Sequence, residues 1–131
     1  MHILVAVDES DESQNALERA MEIVGLQDTE ITAVHAVEKG EQRTDGETIL
    51  EDAAERARKE GISITTELLV GDPIEVIPEY AESTDIDVLY VGHRSLPQKG
   101  EPETEGNPIG SVAKGIIEKT AVPVTVFDKE I

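Results

Sequence analysis

Apolar residues occur along this chain in two rhythms. Five short apolar-rich stretches, ILVAV at 3–7, ITAVHAV at 31–37, ISITTELLV at 62–70, DVLYV at 87–91 and PVTVF at 123–127, are rich in β-branched residues. Near-continuous apolar runs of this length are what strands covered on both faces produce. Between them the spacing changes to that of helices. Ala16, Leu17, Ala20, Met21 and Val24 share one helical face, as do Ile49, Leu50, Ala53, Ala54 and Ala57, and again Val112, Ala113, Ile116 and Ile117. A further helix opens on Asp72-Pro73-Ile74-Glu75, which reads as an N-cap, a proline at the first helical position and a Glu three residues after the cap.

The punctuation agrees with these elements. Glu9, Asp11 and Glu12 suit the positive end of the first helix, and Gly25 lies near its close. Thr44-x-x-Glu47 or Thr48-x-x-Glu51 can box the second helix, and Gly61 is its natural C′ residue. Pro78 is expected to kink the third, because a proline inside a helix removes a hydrogen bond. Lys119 suits the negative end of the fourth. Five strands joined by four helices predict a single α/β domain over residues 1–131. The expected architecture is a parallel sheet with right-handed crossovers and helices on both faces. No internal repeat interrupts it.

Composition sharpens the class. At 131 residues the chain can bury a core without staples, and with only Tyr80, Tyr90 and Phe127 as aromatics that core must be aliphatic. There is no cysteine, hence no disulfide, thiolate metal site or cysteine nucleophile. The longest apolar run is far below the ~20 residues that span a bilayer. Met1 leads almost directly into a strand, leaving no room for a signal peptide. The chain therefore reads as a soluble cytoplasmic protein without membrane contact. Its net charge of -18 argues against nucleic-acid binding, which needs clustered Lys and Arg. The acids are scattered over every helix and loop rather than gathered in a tail. That pattern reads as a halophilic surface, kept soluble in concentrated salt that screens its self-repulsion.

Several stretches, taken in order, resemble the universal stress protein family: ILVAVDES at 3–10, VHAVE at 34–38, GDP at 71–73, DIDVLYVGHR at 85–94 and GSVAKGIIEKTAVPVTVF at 110–127. The resemblance implies a five-stranded parallel, Rossmann-like sheet in the order 3-2-1-4-5. Its topological switch would lie between the strands ending at Val7 and Val91, where open α/β sheets bind ligands. Nucleotide-binding members carry Gly-x2-Gly-x9-Gly-[Ser/Thr] after the fourth strand. Gly92 matches the first glycine and Gly110-Ser111 the closing pair. Ser95 stands at the second glycine position, with fourteen residues before Gly110. Alternatively, Gly100 keeps the nine-residue spacing to Gly110, but seven residues then separate it from Gly92.

Physical roles follow for these residues. Gly110, Ser111 and Val112 would present unpaired N–H groups at a helix N-terminus, a natural anion site, unless Ser111 or Asn107 caps the helix instead. Gly92 would leave room for a ribose, or simply turn the chain out of its strand. The resemblance implies that Asp8 faces the ribose and adenine side; its other reading is the N-cap of the first helix. It also implies that the backbone of Ala36 meets the adenine edge. Arg94, with His93 and Lys99, places positive charge beyond the fourth strand, while Glu9, Asp11 and Glu12 crowd the first loop. A nucleotide would therefore turn its base toward the second strand and its phosphates toward the fourth helix. Glu101, Glu103 and Glu105 oppose a triphosphate unless Mg2+ bridges them to it; otherwise they form a solvated loop. His35 reads as a core histidine and His2 as terminal surface. No metal-ligand spacing is present.

The function these features support is a regulatory module of the stress response that binds an adenine nucleotide, ATP with Mg2+ included. The alternative is a homodimeric interaction protein without nucleotide, assembled through the edge of the fifth strand at Val124, Val126 and Phe127, as the family resemblance also implies. A phosphate-accepting receiver domain, suggested by Asp8-Glu9, lacks the acceptor aspartate after strand three and the helix after strand five. No residue can be nominated as water activator or transition-state cation, so at most slow ATP hydrolysis is expected.

Overall fold

The computed structural model describes residues 1–26, 28–38, 43–93 and 111–128. Nine elements alternate: β1 (His2–Ala6), α1 (Asp11–Val24), β2 (Glu30–Val37), α2 (Arg43–Lys59), β3 (Thr65–Val70), α3 (Pro73–Ser83), β4 (Val88–Gly92), α4 (Ser111–Lys119) and β5 (Val124–Phe127). The strands form one parallel sheet in the order β3-β2-β1-β4-β5. The α/β class and strand order read from the sequence are those of the molecule.

β1 explains why the pattern was legible. As the central strand it pairs with β2 on one side and β4 on the other, so it has no free edge, and helices cover both of its faces. Ile3, Val5 and Val7 point into one core with Leu17, Met21 and Ala53 of α1 and α2. Leu4 points into the other, with Val34, Leu89, Ile77 of α3 and Ile116 of α4. Burial on both faces demands apolar residues at every position, and the unbroken run follows.

The helix ends carry the expected chemistry with some differences. Asp72 caps α3, accepting from the Ile74 amide at 3.0 Å. After α2 the Gly61 amide donates to the Arg58 carbonyl and the Ile62 amide to that of Ala57, with Gly61 at φ 76. This paired closure needs a residue in the left-handed region, which glycine enters without strain. It also shortens β3. Ile62 spends its N–H on α2 and cannot join the sheet, so the strand starts at Thr65 rather than at residue 62. α2 begins at Arg43, ahead of both threonines, so neither Thr44 nor Thr48 is its cap. α3 runs from Pro73 to Ser83 through Pro78, which is buried. Ile117 is 40% exposed, not inward. His2 is the first residue of β1; its Nε2 meets Thr32 Oγ1 at 2.7 Å and its amide donates to Asp87 Oδ2 at 2.7 Å. No helix among the described residues is long and apolar enough to cross a membrane.

Candidate functional site

Because β1 sits between β2 and β4, the connections leaving it and β4 diverge to opposite faces and open a crevice at the strand carboxyl ends. A cavity of about 350 Å³ lies there. That is the lower end of the range for small-molecule sites, roughly 300–1,000 Å³. Val34, Val91, Ile77 and Ile116 make its apolar floor, while Asp8, His35, Ala36, Gly92 and Val112 line it toward the strand ends. Four of the residues singled out in the sequence, Asp8, Ala36, Gly92 and Val112, are thus brought together from four separate elements or their ends. Ser111 starts α4 beside Val112. Arg94, Ser95, Gly100 and Gly110 lie outside the described residues, as do Asn107, Lys99 and the inserted glutamates.

Asp8 is not the cap of α1. Ser10 is: its side chain accepts from the Ser13 amide at 3.2 Å. Asp8 stands two residues earlier, where its Oδ1 accepts from the Ser10 amide at 2.7 Å. Its own N–H donates to Ser13 Oγ at 2.8 Å. An Asx-type turn of this kind fixes the side chain relative to the backbone. The second carboxylate oxygen has no partner among the described residues, and Asp8 borders the cavity. An ionised carboxylate only accepts hydrogen bonds, so it suits hydroxyl or amine donors and repels anions.

Gly92 borders the cavity and also meets a helix. A Cβ built there would stand 2.9 Å from the Ser13 backbone nitrogen and 3.0 Å from Glu12 Cβ. The N-terminus of α1 itself needs the absent side chain. His35 is bonded to its neighbour strand, Nδ1 lying 2.7 Å from the Val7 carbonyl. Since a carbonyl only accepts, Nδ1 carries the proton. His35, read from the sequence as a core histidine, has this bond but is only half-buried and borders the cavity. His93 donates its amide to the Phe127 carbonyl at 2.6 Å, while its buried Nδ1 has no partner among the described residues.

The model of the universal stress protein family matches residues 1–128. The chain belongs to that family.

A curated relative, the universal stress protein MJ0531 of Methanocaldococcus jannaschii, is 27% identical over 97% of this chain and 81% of its own length. The structure of the universal stress protein from Archaeoglobus fulgidus in complex with dAMP superposes with a TM-score of 0.77 at 28% identity, covering 97% of each chain. A universal stress protein family protein from Arabidopsis thaliana, solved with AMP bound, gives 0.75 at 20% identity over 99% of this chain and 92% of that one. The last likeness is one of fold. In this universal stress protein the sequence missed Ser10, Ser13 and Gln14, which fasten Asp8. The only signal for them was the spacing Asp-x-Ser-x-x-Ser, which fits an Asx turn followed by a hydroxyl cap.

Proposed function

We propose that this universal stress protein is a regulatory module that binds an adenine nucleotide in the cavity at the sheet's switch point. The observation that carries the reading is the placement of the Asp8 carboxylate, anchored through one oxygen, at the rim of an apolar cleft that reaches the start of α4. The flat apolar base suits Val34, Val91 and Ile77, with the Ala36 backbone at its edge. Ribose hydroxyls suit Asp8, and phosphates suit the N-terminal amides of α4. The dAMP complex of the Archaeoglobus relative supports an adenine ligand and the same fold around it. ATP with Mg2+ is the fuller form of this proposal, acting as a stress signal or reserve. Mass spectrometry of the solvent released on acid denaturation of gently purified protein tests it. Retained AMP, ADP or ATP supports the reading and names the nucleotide. If none is retained, calorimetry with AMP and with MgATP in high KCl follows, and heats indistinguishable from dilution refute it.

A second reading, homodimerisation through β5, rests on the outer position of that strand in the sheet. The Leu89 amide donates to Pro123 O and the His93 amide to Phe127 O, so odd-numbered residues of β5 face inward along the ladder. Val124 and Val126 therefore turn their main-chain groups outward, while their side chains pack with Phe127 against this chain's own cores. What the edge offers a second copy is backbone. Light scattering behind size exclusion decides it: a monomer at micromolar concentration excludes this dimer.

A further inference from the structure

Every main-chain polar atom of Asp8 is engaged. Its N–H meets Ser13 Oγ, and its carbonyl accepts from Ser13 Oγ at 3.2 Å and from Gln14 Nε2 at 3.0 Å. Gln14 is held at its other end, where Oε1 accepts from Arg56 Nη1 of α2 at 2.7 Å. The direction of this side-chain amide is dictated by its partners. A guanidinium only donates and a carbonyl only accepts, so the oxygen must face Arg56 and the nitrogen Asp8. Arg56 is in turn paired with Glu18 of α1 through its other terminal nitrogen. A cation on the amide oxygen polarises the amide and strengthens the N–H that it donates onward.

We propose that Gln14 is a positioning residue: it transmits the fixed place of Arg56 on α2 to the Asp8 backbone, and so sets where the Asp8 carboxylate stands at the cleft. The inference rests on the nucleotide reading for its consequence, though not for its geometry. Asp8 lies between the last ladder bond of the first strand, from Val7 N–H to the Val34 carbonyl, and the first helical bond of α1, from Gln14 N–H to the Ser10 carbonyl. The Asp8 main chain makes neither kind. Its orientation depends on side chains that reach back from α1. Ser13 supplies one hydroxyl, and Gln14 supplies the link to a second helix.

Gln14→Glu separates the two ends of this link. Glutamate keeps and strengthens the contact with Arg56, but it has no donor for the Asp8 carbonyl and sets an anionic oxygen against it. Gln14→Met removes both ends and keeps the stem. Lys59→Gln, exposed at the end of α2, makes the same change in net charge as a control. For Q14E the expected result is a melting temperature no lower than that of the natural protein, with AMP bound about three- to tenfold more weakly. Amide hydrogen exchange at Asp8 and Ser10 of the nucleotide-free protein should rise in both Gln14 variants. K59Q should bind AMP as the natural protein does. Unchanged affinity and unchanged exchange in Q14E overturn the proposal. So does a loss of affinity matched by a loss of melting temperature in Q14E, which would mark Gln14 as general structural support. Should the natural protein bind no AMP, the nucleotide reading falls, and exchange at Asp8 and Ser10 alone decides: no rise in Q14E refutes the link.

Discussion

A Cβ placed on Gly92 would stand 2.9 Å from the backbone nitrogen of Ser13, which joins the end of β4 to the first turn of α1 at main-chain contact. Neither partner can yield by rotating a side chain, because the nearest atoms include helix backbone. Gly92→Ala must therefore push α1 away from the sheet, at a cost of about 1–3 kcal/mol for overpacking. The loss should appear in urea unfolding of the protein without ligand. A variant with undiminished stability and lost nucleotide binding would instead assign the bare glycine to the ligand.

A similar contact places α4 against α3. A Cβ on Gly115 would lie 2.8 Å from both Cδ1 and Cγ2 of Ile74, and Lys119 of α4 pairs with Glu75 beside it. Two opposing terms meet at Gly115→Ala: a gain of ~1 kcal/mol in helix propensity and a larger cost where a stiff, β-branched neighbour blocks the methyl. In the natural background the substitution should destabilise. In an Ile74→Ala background, where the space is open, it should stabilise by roughly the propensity gain. A change of sign between the two backgrounds, read by thermal unfolding, is the expected outcome; equal effects would show that Ile74 does not set the helix spacing.

The strands were legible because of where burial is complete, while their order came from the family resemblance. Ile3, Leu4 and Val5 are fully buried, and a strand with two covered faces advertises itself as an unbroken apolar run. β3 was harder, since its start is decided by the Ile62 amide closing α2 rather than by any apolar pattern. At the site, Asp8 and Gly92 were visible as residue types, but their reasons were not. Whether Asp8 or Ser10 caps α1 depends on which of two nearby oxygens reaches the Ser13 amide, a matter of backbone angles. Gly92, read as room for a ribose or a plain turn, borders the cavity, but the close approach of the first turn of α1 to it had no signal in the sequence. The link between Gln14 and Arg56 spans 42 residues and two helices, and no local spacing encodes it.

Tyr90 should make the protein sensitive to alkali. It lies against Phe127, ring centroids 4.7 Å apart, and burial pushes its hydroxyl above the ordinary 10.0. The folded protein thus holds this proton more tightly than the unfolded chain does. The corresponding stability is complete below 10.0 and is lost as pH rises through the folded value. Tyr90→Phe keeps the ring and removes the titration. Denaturation midpoints should fall more steeply with alkaline pH in the natural protein than in Y90F, in step with tyrosinate absorbance. Parallel slopes would rule this residue out as the source.

Asp8 offers the most direct separation of architecture from ligand chemistry. Its Oδ1 holds the Ser10 amide, a task that an asparagine oxygen performs equally well, whereas the negative charge and second acceptor oxygen belong to the carboxylate alone. Asp8→Asn should therefore leave the turn and the melting temperature nearly unchanged. Asp8→Ala gives up the hydrogen bond to a partly buried amide and should cost about 1 kcal/mol of stability. If the free oxygen accepts from ribose hydroxyls, both variants should bind adenosine nucleotides about tenfold more weakly, with less loss for a ligand lacking one of those hydroxyls. Calorimetric titration with AMP and dAMP reads both effects at once. Equal affinities in the natural protein and D8N, alongside lower stability in D8A, would confine Asp8 to holding the turn and move the ribose elsewhere in the cleft.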